Sequence, residues 1–366
     1  MFNENGRVLV LNPGATSTKF GVFSRKGDEV SAEWVRALRH TDEEMAQFRG
    51  LPAFAQLEFR AGLIAGELET AGYAIESFVG FGGRGGLLPP TTCGTYLVDD
   101  AMVETLRQAR RGEHASNLGA VLALHFARAV GVHAYIVDPV TVDEWQPCAR
   151  PSGSPLLPRC AVGHALNIKA VARRFAREHR LDYAKLRLIV THMGSGITVS
   201  AHRDGQMIDN NTPEDGPFGL DRSGSLPVRA LIRHCMSGRF TAVELDSQVF
   251  GEGGVSAYLG THDLKEVERR IESGDQFAEQ IFDAMAYQIG KETGAMAAVL
   301  EGHVDAILLT GGMAHSARLV AELRNYIEWI APIHLYPGED ELLALAEGVF
   351  RVLAGEETAK HLAPTE

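Results

Sequence analysis

VLVLNPGATSTKFGVF (residues 8–23) and LRLIVTHMGSGITVSAH (residues 186–202) are one pattern written twice. Each is an apolar strand that runs into a Gly-rich polar turn and leaves it as a second strand. Turns of this composition present backbone N–H groups and hydroxyls without bulky side chains, which suits a polyphosphate. One such turn in each half of the chain predicts two related domains that grip one nucleotide.

What leaves each turn narrows the reading. The first turn has Gly14 ahead of Thr18 and Lys19, but a P-loop needs G-x-x-x-x-G-K-[ST] followed by a helix. FGVF and the turn SRKGDE come next instead, so a hairpin and not a helix N-terminus holds the anion. Gly80, Gly82 and Gly85, after a short strand expected near residues 75–79, formally satisfy the dinucleotide fingerprint G-x-G-x-x-G. Leu87, Leu88, Pro89 and Pro90 then stand where that fingerprint demands a helix, and prolines there oppose one.

Farther out, apolar spacing predicts helices over about 53–72, 101–111 and 116–130, with Ser116 or Asn117 as a cap, and a buried strand AYIVD ending on Asp138. Pro147, Pro151, Pro155 and Pro158 make the region from 144 to 157 irregular and mark it as a crossing between domains. The second half continues with a helix over about 163–178, the second hairpin, a tight turn at RDGQ and a third strand around 207–209. After the polar loop PEDGPFGLDRSGSLP come helices to about 301 and a strand, VDAILLT, that runs into Gly311 and Gly312. Glycines after a strand let the backbone approach a base or ribose. A helix, the strand IHLY and a last helix around 341–353 complete the pattern.

Composition bounds the partners. The 366 residues, 45% of them hydrophobic, bury substantial cores and suit about two domains. With 47 acidic against 35 basic residues and a formal charge of −12, no general attraction to nucleic acid or to an anionic membrane is expected. No apolar run reaches the roughly 18–20 residues of a bilayer span, and MFNENGRVLVLN does not read as a signal peptide. A cytoplasmic location is expected. Cys93, Cys148, Cys160 and Cys235 are too dispersed for a metal or redox motif and are expected to be reduced packing residues.

The order of phosphate hairpin, second phosphate hairpin and diglycine turn resembles the acetate kinase, sugar kinase, heat-shock-70 and actin superfamily. Within it, NPGATSTK, GRGGLL with TYLVDDAM, HASNLGA, VDPVTVDE, HALNIKAVARR, HMGSGITVSAH, GPFGLDRSGSLP, GGMAH and PGEDELLALAEGVFRVL are together similar to the butyrate kinases, across essentially the whole chain. The resemblance implies an α/β fold of duplicated actin-like, ribonuclease H-like domains, with mixed sheets flanked by helices and a nucleotide cleft between them. The expected domains are 1–150 with the C-terminal helix 339–366, and 151–338. It also implies magnesium, a homodimer through the second domain, and reversible phosphoryl transfer from ATP to a short-chain carboxylate, giving an acyl phosphate and ADP.

The residues suit that chemistry. A carboxylate acceptor is ionised at neutral pH and needs no strong base; it needs charge compensation as it nears the γ-phosphate. Arg84 in GGRGG and Arg222 in DRSGS lie in glycine-flanked loops, where a guanidinium can grip carboxylate or phosphate in bidentate fashion. By the family pattern they hold the acceptor and the migrating phosphoryl group. His192, where the second hairpin enters its turn, would donate a hydrogen bond to phosphoryl oxygens. Asp138 would orient magnesium or its water shell, with Asn12 a metal or phosphate contact in the first hairpin. Among Glu339, Asp340 and Glu341, Glu341 is chosen as the acidic metal contact.

Thr16, Ser17 and Lys19 of the first turn and Gly194, Ser195 and Gly196 of the second are assigned to the phosphates, with Gly311, Gly312 and Met313 to the adenosine. His114 is a candidate for the acyl site. Ala15 stands where a small hydroxyl is expected, a departure that weakens at most one contact. Two other readings stay open on these residues: a kinase of the same build for acetate, propionate or branched acids, and a nucleotide-binding regulator of actin-like fold without kinase activity.

Overall fold

The computed structural model describes residues 6–363, so the first five residues of the segment considered above as a leader, and residues 364–366, lie outside it. The chain divides into two compact units, Met1–Asp143 with Asp340–Glu366, and Glu144–Glu339.

The first unit contains β1 (Arg7–Pro13), β2 (Ser17–Lys26), β3 (Glu29–Arg39), α1 (Asp42–Ala46), α2 (Leu57–Thr70), β4 (Phe78–Gly83), β5 (Thr95–Leu97), α3 (Asp100–Gln108), α4 (Asn117–Val130) and β6 (Ala134–Val137). In the second are α5 (Ala165–Glu178), β7 (Leu188–Met193), β8 (Ile197–Arg203), β9 (Gln206–Asn210), α6 (Val228–Cys235), α7 (Ala242–Val249), α8 (Gly254–Leu259), α9 (Leu264–Glu272), α10 (Gln276–Val299), β10 (Ala306–Gly311), α11 (Ala317–Ile327) and β11 (Ile333–Pro337). The last helix, α12 (Glu341–Leu353), returns to the first unit.

The two sheets are built alike. Strand order is β3-β2-β1-β4-β6-β5 in one and β9-β8-β7-β10-β11 in the other. In each, three consecutive strands form an antiparallel meander, β1-β2-β3 or β7-β8-β9, and two parallel strands extend the sheet from the first strand of that meander. Parallel neighbours need crossovers, which is why helices intervene before β4, β6, β10 and β11. Only β5, antiparallel to β6, breaks the correspondence. The duplication read from two hairpins therefore extends to whole sheets.

Burial explains why VLVL is apolar throughout instead of alternating. A strand with helices on both faces needs apolar side chains on both; α4 packs against β1, β4 and β6, and α12 packs against the same three strands. Val8, Leu9, Val10 and Leu11 are accordingly fully buried, each stabilising the unit by roughly 1.5–3 kcal/mol. In the second unit α5 lies on β7 and β10 while α10 lies on β8 and β7. The helix that follows the last parallel strand of each sheet in sequence thus packs on the other sheet: α5 follows β6, and α12 follows β11.

Three sequence expectations need correction. The strand expected near 75–79 begins at Phe78 and continues through GFGG, with a 3-10 turn at Ile75–Ser77 before it. Those glycines belong to a central strand squeezed between layers: a Cβ on Gly82 would meet Val10 and Val349 at 2.9 and 3.0 Å. Ser116 stands at the N-cap of α4 but makes no side-chain capping hydrogen bond; the Asn117 side chain is spent on Leu87 N–H and the Gly112 carbonyl. The cysteines are free, but Cys148, Cys160 and Cys235 are exposed instead of packed. Among the described residues no helix is long and apolar enough to cross a membrane.

Candidate functional site

In the first unit, β1 and β2 pair up to Pro13 and Thr18, so residues 14–17 make the turn. Thr18 is buried, while Ala15, Thr16 and Lys19 are exposed. Asn12, one strand residue before the turn, donates from Nδ2 to Glu341 Oε2 at 2.5 Å. The other oxygen of that carboxylate accepts from Arg84 Nη1. Three side chains far apart in sequence, Asn12, Arg84 and Glu341, thus form one polar cluster in which Arg84 and Glu341 are 11% and 19% exposed.

The glycines around Arg84 position it by allowing backbone contact, not by loosening the loop. A Cβ on Gly83 would lie 2.2 Å from the Gly119 carbonyl oxygen, and one on Gly119 would lie 2.4 Å from that of Arg84. Gly85 and Gly86 are pressed in the same way against Pro139 and Asn117. GRGG, HASNLGA and VDPV are therefore one packed unit, in which α4 fixes the Arg84 backbone. Arg84 N–H also donates to the Leu11 carbonyl at 2.9 Å, continuing the β1 edge.

Asp138 follows β6 in the left-handed region, φ 39°, where Asp is among the few side chains tolerated. It is buried, and its Oδ1 accepts from Gly94 N–H at 2.6 Å. His114 Nδ1 is 2.7 Å from Ser116 Oγ just ahead of α4, so at least part of its role is to shape that entry.

In the second unit His192 is the penultimate residue of β7, with its ring 1% exposed. Asn167 Oδ1 lies 3.1 Å from His192 Nδ1 and also accepts from Thr310 Oγ1 at 3.1 Å. With the amide oxygen serving both, Nδ1 carries a proton. Nε2 faces Gly194 and lies 3.2 Å from Glu339 Oε1, yet it has no aligned hydrogen-bond partner among the described residues. A buried ring nitrogen in that condition is suited to a ligand. The His164 ring stacks on it at 3.9 Å and 13°, with its own Nδ1 held 2.9 Å from Thr198 Oγ1.

Arg222 sits beside the same turn. Gly219 packs on the Ser195 carbonyl, the Leu220 N–H donates to that carbonyl at 3.0 Å, and a Cβ on Gly196 would touch Arg222 Cγ at 3.3 Å. Its guanidinium lies over the Phe250 ring and donates to Asp221 at 2.8 Å. Gly194, Ser195, Gly312 and Met313 line an open cavity of about 350 Å³ that His262, Asp263, Lys265 and Glu268, around the start of α9, also border. Gly311 must be glycine: its φ is 89°, and a Cβ would lie 2.4 Å from the Met193 carbonyl oxygen.

Asn12, Arg84 and Glu341 therefore meet in one unit, and His192, Gly194, Ser195, Gly196, Arg222, Gly312 and Met313 gather in the other. Sequence reasoning missed His164, Asn167 and the α9 residues, and it named Glu339 only as a possible metal contact, not as a neighbour of His192. HALN is visible as a motif but gives no role to its side chains, and nothing in THDLKE signals a cavity wall. Electrostatics adds a carboxyl outside these clusters: burial, and then Asp215 and Asp209 nearby, push Glu292 up to about 7.

Residues 162–331 match the acetokinase family model. The chain is 47% identical over 356 residues, 97% of its length and 99% of the relative's, to a protein named probable butyrate kinase from Clostridium botulinum strain Eklund 17B. The chain belongs to the acetokinase family. A second relative, named butyrate kinase 2, from Clostridium acetobutylicum, is 45% identical over 97% of this chain and 98% of its own. Among solved structures, an acetate kinase from Porphyromonas gingivalis superimposes with a TM-score of 0.76 at 18% identity, covering 95% of this chain and all of that one. A propionate kinase from Francisella tularensis gives 0.70 at 16%, covering 93% and 98%. This acetokinase has the duplicated actin-like α/β fold of those enzymes.

Proposed function

We propose that this acetokinase transfers the γ-phosphoryl group of ATP to the carboxylate of butyrate or a close short-chain relative, giving an acyl phosphate and ADP in a reversible, direct in-line step. Membership of the family makes the chain a carboxylate kinase, a phosphotransferase; the near-full-length likeness to proteins named as butyrate kinases supports the acyl chain. The geometric observation that carries the reading is the Asn12–Arg84–Glu341 cluster, a guanidinium held at the end of β4 by a carboxylate that a bound substrate can compete for.

In this reading Arg84 meets the acceptor carboxylate and Arg222 the migrating phosphoryl group, which offsets the repulsion between two anions. His192, its Nδ1 held beside Asn167, presents its unpartnered Nε2 to a phosphoryl oxygen. The first turn, through Thr16, Ser17 and Lys19, and the second, through Gly194, Ser195 and Gly196, bind the phosphates. The cavity beside Gly312 and Met313 receives the adenosine, and His114 borders the acyl site.

Magnesium suits the donor set. Among the described residues no three His, Cys, Asp or Glu side chains are grouped to cage a metal, and Mg²⁺ seldom needs a cage: it keeps waters and takes one or two carboxylates together with substrate phosphates. Asn12 and Glu341 would hold it, with Asp138 acting through water. When bound it would neutralise phosphate charge.

A cytoplasmic homodimer completes the proposal. The α6 and α7 helices bury no side chain, and Val228, Ile232, Met236 and Val243 are exposed on and beside them. An isologous contact through this part of the second unit would cover them; Ile232→Asp should then shift the sedimentation coefficient to that of a monomer. For the activity, hydroxylamine trapping of acyl phosphate with C2 to C6 carboxylates tests the assignment. The highest kcat/KM is expected at C4, with each methylene removed costing about 1 kcal/mol; absence of any trapped product would refute the reading.

A further inference from the structure

Arg60 is the largest fully buried side chain of the first unit, and nothing in its sequence neighbourhood marks it out. It rises from the first turn of α2 and reaches the back of residues 14–18. Nη1 donates to the Ser17 carbonyl at 2.8 Å and to Thr18 Oγ1 at 2.7 Å, while Nη2 donates to the carbonyls of Gly14 and Ala15 at 3.0 and 3.2 Å. Gln56 Oε1 takes Nε at 3.0 Å and Nη2 at 2.8 Å. Every one of these partners is neutral.

A buried guanidinium without a carboxylate is costly, because desolvation of the charge is not offset by a counterion. That cost is visible as a pKa lowered to about 10 by burial. A brace alone would not need the charge, since an amide or hydroxyl can satisfy carbonyls. Three carbonyls of one turn gathered on one guanidinium have a second consequence: the Ala15 and Thr16 N–H groups have no backbone partner among the described residues. Carbonyls taken from behind leave N–H groups for whatever lies in front.

We propose that Arg60 is a positioning residue for the first phosphate turn, fixing its carbonyls inward and lending an uncompensated positive charge whose counterion is the bound polyphosphate. Thr18 passes the arrangement on. Its hydroxyl accepts from Arg60 and lies within hydrogen-bond distance of His40 Nε2, 2.9 Å away. Burial, and then the nearby Arg60 charge, lower the pKa of His40. Arg60 touches no reacting atom; it acts through the turn.

The inference rests on the reading that this turn meets the phosphates of ATP, and the test separates the two. Arg60→Lys, Arg60→Met, Ser17→Ala and Lys19→Ala are made in the full chain, and KM for ATP, KM for butyrate, kcat and the thermal midpoint are measured for each. Arg60→Lys keeps the charge and loses the fork, so KM for ATP is expected to rise about tenfold while KM for butyrate stays within about twofold, with a larger ATP effect in Arg60→Met. The thermal midpoint of Arg60→Met should fall little, because removing an unpaired buried charge offsets the lost hydrogen bonds. Should Arg60→Met fail to fold, Arg60→Lys decides. An unchanged KM for ATP in a folded Arg60 variant, alongside raised values for Ser17→Ala and Lys19→Ala, overturns the positioning role alone. Unchanged values in all of them overturn the phosphate turn itself.

Discussion

A double-mutant cycle on Arg84 and Glu341 tests the central geometry. The two side chains are in direct contact, and their exposures of 11% and 19% place them between a surface pair and a buried one. Two unit charges about 4 Å apart attract by about 4 kcal/mol at an effective dielectric of about 20, and desolvation offsets much of that. A coupling energy of about 1–3 kcal/mol is therefore expected from urea unfolding of Arg84→Ala, Glu341→Gln and the double variant. Activity should behave differently from stability. Arg84→Ala removes a group assigned to the transition state and should lower kcat about a hundredfold or more, and adding Glu341→Gln should not restore it. Hydroxylamine trapping reads the rate. Strictly additive unfolding energies would mean that the pair does not form in solution, and near-normal turnover in Arg84→Ala would remove Arg84 from the mechanism.

Further outcomes follow from the same geometry. Gly83→Ala places a methyl 2.2 Å from the Gly119 carbonyl oxygen, so the backbone must move; a loss of several kcal/mol in urea, beyond the roughly 1–3 kcal/mol of ordinary overpacking, is expected, and wild-type stability would show that α4 does not press on β4. Asp138→Asn keeps a residue type that tolerates the left-handed backbone and can still accept from Gly94 N–H, so its thermal midpoint should hold while kcat falls; unchanged kcat would leave Asp138 a purely structural residue. Glu292 is protonated in the native state up to about pH 7 but ionises near 4.5 when unfolded. The unfolded chain therefore holds fewer protons in that window, and stability declines as pH rises through it, by on the order of 3 kcal/mol. Glu292→Gln should abolish that decline, and an unaltered pH profile of the urea midpoint would refute the assignment.

How far the site is legible depends on how local each signal is. The two hairpins, the turn at RDGQ and the strand before Gly311 can be read because turn chemistry and apolar runs are written in adjacent residues. GFGG passes for a loop because a glycine in a strand and a glycine in a turn look alike until a packed neighbour is seen; here α12 and α4 supply it. Glu339 and Glu341 are ambiguous in PGEDE, and the structure separates them, with Glu339 beside His192 and Glu341 joined to Arg84 and Asn12. Arg60 gives no signal at all, since its importance lies in carbonyls some 45 residues earlier.

The sequence by itself determined the duplicated strand–turn–strand frame, the likeness to carboxylate kinases and the residue types that compensate anionic charge, because these are carried by short-range pattern and side-chain chemistry. Only the tertiary structure decided which carboxylate meets which cation, which turn carbonyls are held from behind, and which glycines are there for contact. Those are relations between segments tens to hundreds of residues apart, set by how α4 and α12 cover β4 and how α2 reaches the first turn, and backbone packing of that kind leaves no periodic trace in the chain.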